Sequence, residues 1–234
     1  MPAIERLKKK VNEAAKVLAH LRTSVEHKKN KFKPGALKAA KGFLLLHTHK
    51  GAAVLGYEAG PGIAFKVLGH EADGTPILSP PVVMSMSKMG VGIQIGYNSI
   101  YTLMAVYHES QLDMLVNSHA GTIVGQDLDV SPIPFKSDGA GNLHRTSMNA
   151  LERVSDTPAD GIPKIKVISV SDSFMLFDWS FYGGSLTMED DIMQKVYGMD
   201  IPPLSVLHGK VETPADLKEA CARIAVDFKA LSEM

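Results

Sequence analysis

Cysteine occurs once in the 234 residues, as Cys221. A lone thiol excludes an internal disulfide framework and a cysteine-rich zinc site. Aromatic residues are only 6% of the chain, with a single tryptophan, Trp179, so the core must be filled mainly by aliphatic side chains. No apolar run approaches the ~18–20 residues that cross a bilayer as a helix. The chain has no phosphate-binding Gly-x-x-x-x-Gly-Lys loop, no Gly-x-Ser-x-Gly elbow and no His-Glu-x-x-His helix. Three common signatures of nucleotide, ester and metal-assisted peptide hydrolysis are thereby missing. No internal repeat is evident. Met1-Pro2-Ala3-Ile4-Glu5 leads into a charged helix rather than an apolar stretch, so no secretory signal is expected.

Net charge is also lacking, since 25 Lys/Arg balance 25 Asp/Glu. The balance conceals an asymmetry. Residues 1–41 hold twelve Lys/Arg and three Glu, net +9, whereas residues 42–234 hold thirteen Lys/Arg and twenty-two Asp/Glu, net −9. A basic arm on an acidic body points to an anionic membrane surface, an acidic protein or nucleic acid as partner. It is equally consistent with an arm that folds against its own acidic body. Nucleic acid is not expected, because aromatics are not interleaved with the basic residues beyond Phe32 and the acidic body repels phosphate.

The hydrophobic pattern changes period along the chain. Over residues 3–28, Ile4, Leu7, Val11, Leu18 and Val25 form a stripe at helical spacing, with Arg6, Lys9, Lys16 and His20 opposite. His27-Lys28-Lys29-Asn30-Lys31-Phe32-Lys33 is a basic exit, stopped by Pro34-Gly35. From Gly42 the period becomes two. Strands are expected at Gly42–Thr48, Ala52–Glu58, Ile63–Leu68, Val82–Met86, Val91–Tyr97, Ile100–Tyr107 and Thr122–Val130, with a tight turn at Glu71–Thr75. Residues 131–164, rich in Pro, Gly, Ser and Asp, read as a long surface excursion. Ile165–Ser171 and Phe174–Tyr182 read as a hairpin around Asp172-Ser173, with Phe177, Trp179 and Phe181 on its inner face. Helices complete the chain, the last with the stripe Leu217, Cys221, Ile224, Phe228 and Leu231. The expected class is α+β: a curved, mainly antiparallel sheet flanked by N- and C-terminal helices. One domain is expected over 1–234, with an arm at 1–41, a β core at 42–130 and 165–182, and C-terminal helices in 183–234.

Little in the chain announces chemistry. His47 and His49 share a strand face as a pair of potential metal donors, but no third ligand is close in sequence. Gly90-Val91-Gly92-Ile93-Gln94-Ile95-Gly96 fails the dinucleotide fingerprint: its glycine spacing is wrong and no helix comes after it. It reads as a strand with one small-residue face. Glu189-Asp190-Asp191 reads as a cluster at a helix N-terminus. Val82, Met84 and Met86 share a strand face and read as core. No catalytic residue, metal or cofactor is expected.

Several segments, in order, resemble the SYLF domain family, a lipid- and actin-associated module. Leu7-Lys8-Lys9-Lys10 through Leu18 is similar to its opening amphipathic helix. Ala39-Ala40-Lys41-Gly42 is similar to the A-K-G that introduces its first strand. Ser79-Pro80-Pro81 resembles its W-S-x-P segment, with Leu78 in place of Trp. Gly92-Ile93-Gln94-Ile95-Gly96 matches G-x-Q-x-G, Leu176 to Gly184 resembles L-F-A-G-x-S-L-E-G, and Tyr197-Gly198 matches a terminal Y-G. The chain departs from the pattern at Tyr101, where the family has Asp, and at Ser131-Pro132-Ile133-Pro134, which replaces a G-P-x-G-R turn. It departs again at Asp172, where Lys/Arg-Gly is common.

The resemblance implies binding rather than catalysis. Its partners are acidic phospholipids, notably phosphoinositides, and in some members actin filaments. The expected role is therefore a cytoplasmic, peripheral lipid-binding module, with an actin-binding or scaffold module as the alternative. Lys8, Lys9, Lys10, Lys16, Lys28, Lys29, Lys31 and Lys33 are the expected headgroup contacts. Ile4, Leu7, Val11 and Leu18 either enter the membrane interface or close the core, since one stripe cannot do both.

Overall fold

The computed structural model describes residues 1–27, 34–52, 55–117, 121–123, 165–173 and 177–234; at 34, 52, 55, 88–97, 117, 121–123, 172–173 and 177–185 it describes the backbone alone. Helix α1 is Ala3–Glu26 and is followed, at Pro34–Ala39, by a 3-10 turn. The sheet is built from β1 (Gly42–Ala52), β2 (Leu55–His70), β3 (Pro76–Leu78), β4 (Val82–Val106), β5 (Gly121–Ile123), β6 (Ile165–Ser173) and β7 (Phe177–Met188). Helix α2 (Glu109–Asn117) falls between β4 and β5, and α3 (Asp190–Tyr197), α4 (Pro203–Leu207) and α5 (Ala215–Glu233) close the chain. The class is α+β, with one seven-stranded sheet in which every described pairing is antiparallel.

The curvature comes from β4. Its first part, Val82–Val91, pairs with β2, and its second part, Gly96–Val106, pairs with β1. Because β1 and β2 also pair with each other, β4 must bend around the closed end of their hairpin. Gly92 and Gly96 lie where β4 passes from one partner to the other, and glycine inside a strand suits such a bend. The segments expected as three strands over 82–107 are thus one strand of 25 residues.

Two further expectations are corrected. Gly60-Pro61 does not divide β2. Its ladder with β1 skips from Leu46↔Gly62 to His49↔Ala59, so the N–H that Pro61 lacks is not needed there, while the pairing with β4 continues through Pro61↔Ser85. Nor do β6 and β7 form a hairpin with each other. Both lie along β4, β6 against Asn98–Val106 and β7 against Met84–Ile95, so Asp172 and Ser173 continue a strand instead of turning. The expected excursion 131–164, most of the expected strand Thr122–Val130, and the side chains of Phe177, Trp179 and Phe181 lie outside the described residues.

Helices cover both faces of the sheet around the first part of β1 and the middle of β2. Phe43, Leu44, Leu45 and Leu46 are all fully buried, as are Ile63, Ala64 and Phe65. A continuous buried run means cover on both sides, where a half-exposed strand would alternate. On one side, Phe43 stacks on Phe228 of α5, and α1 packs against α5 and the sheet. On the other, a Cβ at Gly42 would strike Leu112 of α2. Lys66 of β2 donates to Glu109 at 2.9 Å and to Nδ1 of His208 at 3.0 Å, while His208 Nε2–H donates to Asp113 at 3.0 Å. This network ties α2 and the residue after α4 to β2. All five residues of the α5 stripe are buried; Cys221, its thiol pushed up to about 12 by burial, is inert packing. Val82, Met84 and Met86 are core as well.

The Glu71–Thr75 turn is held by Asp73. Its carboxylate accepts from the Thr75 N–H at 2.8 Å and the Thr75 hydroxyl at 2.9 Å, and Gly74 supplies φ +84°. These bonds and Lys229 bring the Asp73 carboxyl down to about 2. The far end of the β1–β2 hairpin is more open, with His49 and Tyr57 exposed.

Candidate functional site

The apolar stripe of α1 is occupied by the protein itself. Leu7 and Val11 have no exposure and Leu18 has 1%, and Ile4 packs against the same core. Of the two roles left open for the stripe, the fold holds it in the core. What α1 offers to a partner is therefore its polar surface.

That surface divides into an outer face and a tethered flank. Lys8 and Lys9 are exposed and make no ion pair among the described residues. Lys16 is exposed and donates to Glu13 at 2.8 Å. Lys10 faces the body instead and donates to Glu189, just before α3, at 2.8 Å. One turn earlier, Arg6 pairs with Asp191 at 3.0 Å. Arg22 reaches Glu26 and Asp227. Lys28, Lys29, Lys31 and Lys33 lie outside the described residues. The acidic cluster at 189–191 thus has a purpose beyond the helix dipole. Glu189 occupies the N-cap position of α3 without a side-chain capping bond and spends its carboxylate on α1.

The third tether is Glu13. Arg6, Lys10 and Glu13 stand at i, i+4 and i+7, one flank of a helix. Glu13 accepts from His47 Nδ1–H of β1 at 3.1 Å. That bond fixes the His47 tautomer, leaving Nε2 buried with no partner. Tyr101 of β4 lies between two imidazoles. His20 stacks on it with centroids 3.8 Å apart, and His47 at 4.5 Å. His49 meets His47 edge-on at 4.5 Å, and its Nδ1 is 3.1 Å from the Ser99 hydroxyl.

The titration behaviour is a consequence of this packing. Burial holds His47 below the ordinary imidazole range, and outweighs the opposing pull of the Glu13 carboxylate; His49 and Lys16 also disfavour the cation. Burial acts to raise Glu13, but the hydrogen bonds from Lys16 and His47, with the charges behind them, hold it below the ordinary carboxylate range. The hydrogen bond to Glu13 raises Lys16.

Beside this flank an open groove of about 540 Å³ is lined by Lys10 and Glu189, by His49 of β1, by Tyr57 and Pro61 of β2, and by Ser85 of β4. Its two charges already neutralise each other. Among the described residues no group of three or more His, Cys, Asp or Glu is placed to hold a metal ion. His47 and His49 meet edge to face, with His47 also stacked on Tyr101.

Sequence reasoning placed Lys9, Lys16 and His20 together opposite the stripe, but missed Glu13 as the partner of Lys16 and Tyr101 as that of His20. The spacing Lys9, Glu13, Lys16, His20 was a signal for one row on α1. That Tyr101 would sit beneath it depends on the bend of β4, which no local pattern announces. Lys10 was grouped with the solvent-facing lysines because its partner is 179 residues away.

A family model described as Las17-binding protein actin regulator (Ysc84) matches residues 87–224. The match covers more than half of the chain, from within β4 into α5, and the chain belongs to this SYLF/Ysc84 family. Helix α1 and the β1–β2 hairpin precede the matched residues. The family is one of non-catalytic regulators, in keeping with a binding module. No curated protein and no solved structure matched the chain. No helix among the described residues is long and apolar enough to cross a membrane.

Proposed function

We propose that this member of the SYLF/Ysc84 family is a peripheral module that docks on anionic phospholipid membranes, phosphoinositides included, through the basic N-terminal arm. The reading rests on one observation: Leu7, Val11 and Leu18 of the α1 stripe are buried in the core and Ile4 packs against it, so Lys8, Lys9 and Lys16 stand on the surface with the stripe turned inward. Docking is therefore electrostatic. The basic residues 28–33 extend the same arm in sequence and add to its charge. The body, net −9, turns away from the bilayer and orients the arm toward it. Each Lys or Arg near an anionic surface adds ~1 kcal/mol, about five-fold in binding.

The family description favours a second reading, in which the same basic arm meets an actin filament, itself an acidic partner. The two are separated by vesicle flotation across a series of lipid compositions, run beside actin co-sedimentation. Flotation with anionic vesicles that weakens with salt supports membrane docking. Co-sedimentation with actin without flotation replaces it with the filament reading.

A further inference from the structure

Two ion pairs hold one flank of α1. Lys10 donates to Glu189 at 2.8 Å, and Arg6, one turn earlier, meets Asp191 at 3.0 Å. Both cations belong to the arm on which membrane docking rests, so part of its charge is engaged inside the molecule. We propose that Glu189 is an internal competitor for the arm: its carboxylate holds the Lys10 ammonium, and an anionic phospholipid surface must displace that carboxylate to use Lys10. The inference rests on the membrane reading above and names a regulation of that same site.

The placement of Glu189 suits this role. It directly follows β7, and its N–H donates to the Val83 carbonyl at 3.0 Å, so the carboxylate is presented from a fixed point. A side chain at an N-cap ordinarily accepts from the first N–H groups of its helix. Glu189 makes no such bond to α3 and reaches across to α1 instead. The two tethers hold unequally. The side chains of Lys10 and Glu189 are 21% and 23% exposed, and their pair is shielded from water on one side. Asp191 is 56% exposed and is shared with Lys195 of its own helix, so its hold on Arg6 is divided. Exposed pairs of that kind contribute little, which leaves Glu189 as the residue that matters. Lys10 and Glu189 together line the open groove of about 540 Å³. The pair is therefore reached from solvent with α1 in place, and a headgroup phosphate can take the ammonium where Glu189 now does. Leu7 and Val11, on either side of Lys10 in sequence, stay in the core throughout. Lys9, exposed and without an ion pair among the described residues, needs no such release.

The test is a double-variant cycle in the full chain, read by flotation at low salt with vesicles of phosphatidylcholine with or without phosphatidylserine. Circular dichroism checks that each variant keeps its fold. Glu189→Gln keeps the shape of the side chain without its charge and is expected to float about five-fold better than the wild type on anionic vesicles, the worth of one released cation. Lys10→Gln is expected to lower flotation by less than about two-fold in the wild type but by about five-fold in the Glu189→Gln background, so that the gain disappears in the double variant. If Glu189→Gln loses its fold, the same cycle is run with Glu189→Asp, whose shorter reach loosens the pair at unchanged net charge. The expected gain is then about two-fold, again absent with Lys10→Gln. Equal flotation of the wild type and the Glu189 variant overturns the proposal. A gain that persists with Lys10→Gln also overturns it, because that gain comes from the field of the whole body and not from Lys10. So does a gain on phosphatidylcholine alone, which signals apolar surface released from the core. Absence of flotation for the wild type and every variant overturns the membrane reading itself.

Discussion

Phe228 of α5 lies face to face with Phe43 of β1, ring centroids 4.2 Å apart and planes within 10°. The pair joins the last helix to the first strand across most of the chain length, and Phe65 tilts against the same Phe43 ring at 5.6 Å. Both Phe43 and Phe228 are buried. Phe228→Ala removes one ring and leaves a cavity that rigid strands cannot close. The expected loss is about 3–5 kcal/mol of unfolding free energy, read as a fall in denaturation midpoint at unchanged slope. A loss under about 1 kcal/mol would mean that α5 is not anchored on β1 in this way.

A second prediction concerns Gly60. A Cβ there would lie 2.0 Å from the His47 carbonyl oxygen and 2.7 Å from the Thr48 Cα, both backbone atoms that cannot swing away. Gly60→Ala must therefore push β1 and β2 apart next to the His47–Tyr101 stack. Overpacking of this kind costs about 1–3 kcal/mol. Ala at the open glycine Gly35, where nothing lies within 4 Å, serves as the control and should leave the melting temperature unchanged.

The fold was legible where the signal was local. The α1 and α5 stripes, the switch to period two at Gly42 and the Asp73-Gly74 turn each arise from neighbouring residues. Strand number was not legible, because Gly and Pro were read as punctuation. Pro61 is tolerated inside β2 because the ladder to β1 skips at that point, and the skip is visible only in the pairing. The same limit applied to the site. Lys8 and Lys10 are alike in sequence, yet one is exposed and the other donates to Glu189. Charge pattern identified the arm; which lysines remain available is decided by where α3 packs.

The third prediction is a pH dependence of stability. His47 has a folded-state value below its ordinary 6.5, so between the two values the unfolded chain binds more protons than the folded one. Stability must fall as pH drops through about 6.5. Glu13 is held below its ordinary 4.5; its contribution is present above that value and is lost as pH falls through the lowered one. Acid therefore acts in two stages, histidine first. Urea melts between pH 8 and pH 5 should show a smaller decline in His47→Gln, whose amide N–H can still donate to Glu13. An unchanged decline would place the sensitivity at another histidine.

The last prediction separates the two surfaces of α1. Leu7 is wholly buried, so Leu7→Ala should cost about 2–5 kcal/mol of stability. Measured well below its melting temperature, the folded variant should still float with anionic vesicles, because the lysine face is untouched. Lys8→Gln/Lys9→Gln should behave in the opposite way. Both side chains are exposed without an ion pair among the described residues, so the melting temperature should stay within a degree or two, as surface changes usually allow. Flotation should fall by roughly 10-fold or more at low salt, at about five-fold per lysine. That difference should shrink as salt rises, because exposed charges are screened over about 8–10 Å at physiological ionic strength. Lys10→Gln is the internal comparison. Lys10 is turned toward Glu189 at 2.8 Å, so its loss should weaken flotation less than loss of Lys9. If Leu7→Ala abolishes flotation while the protein stays folded, the stripe leaves the core to reach the bilayer, and a purely electrostatic arm is the wrong description.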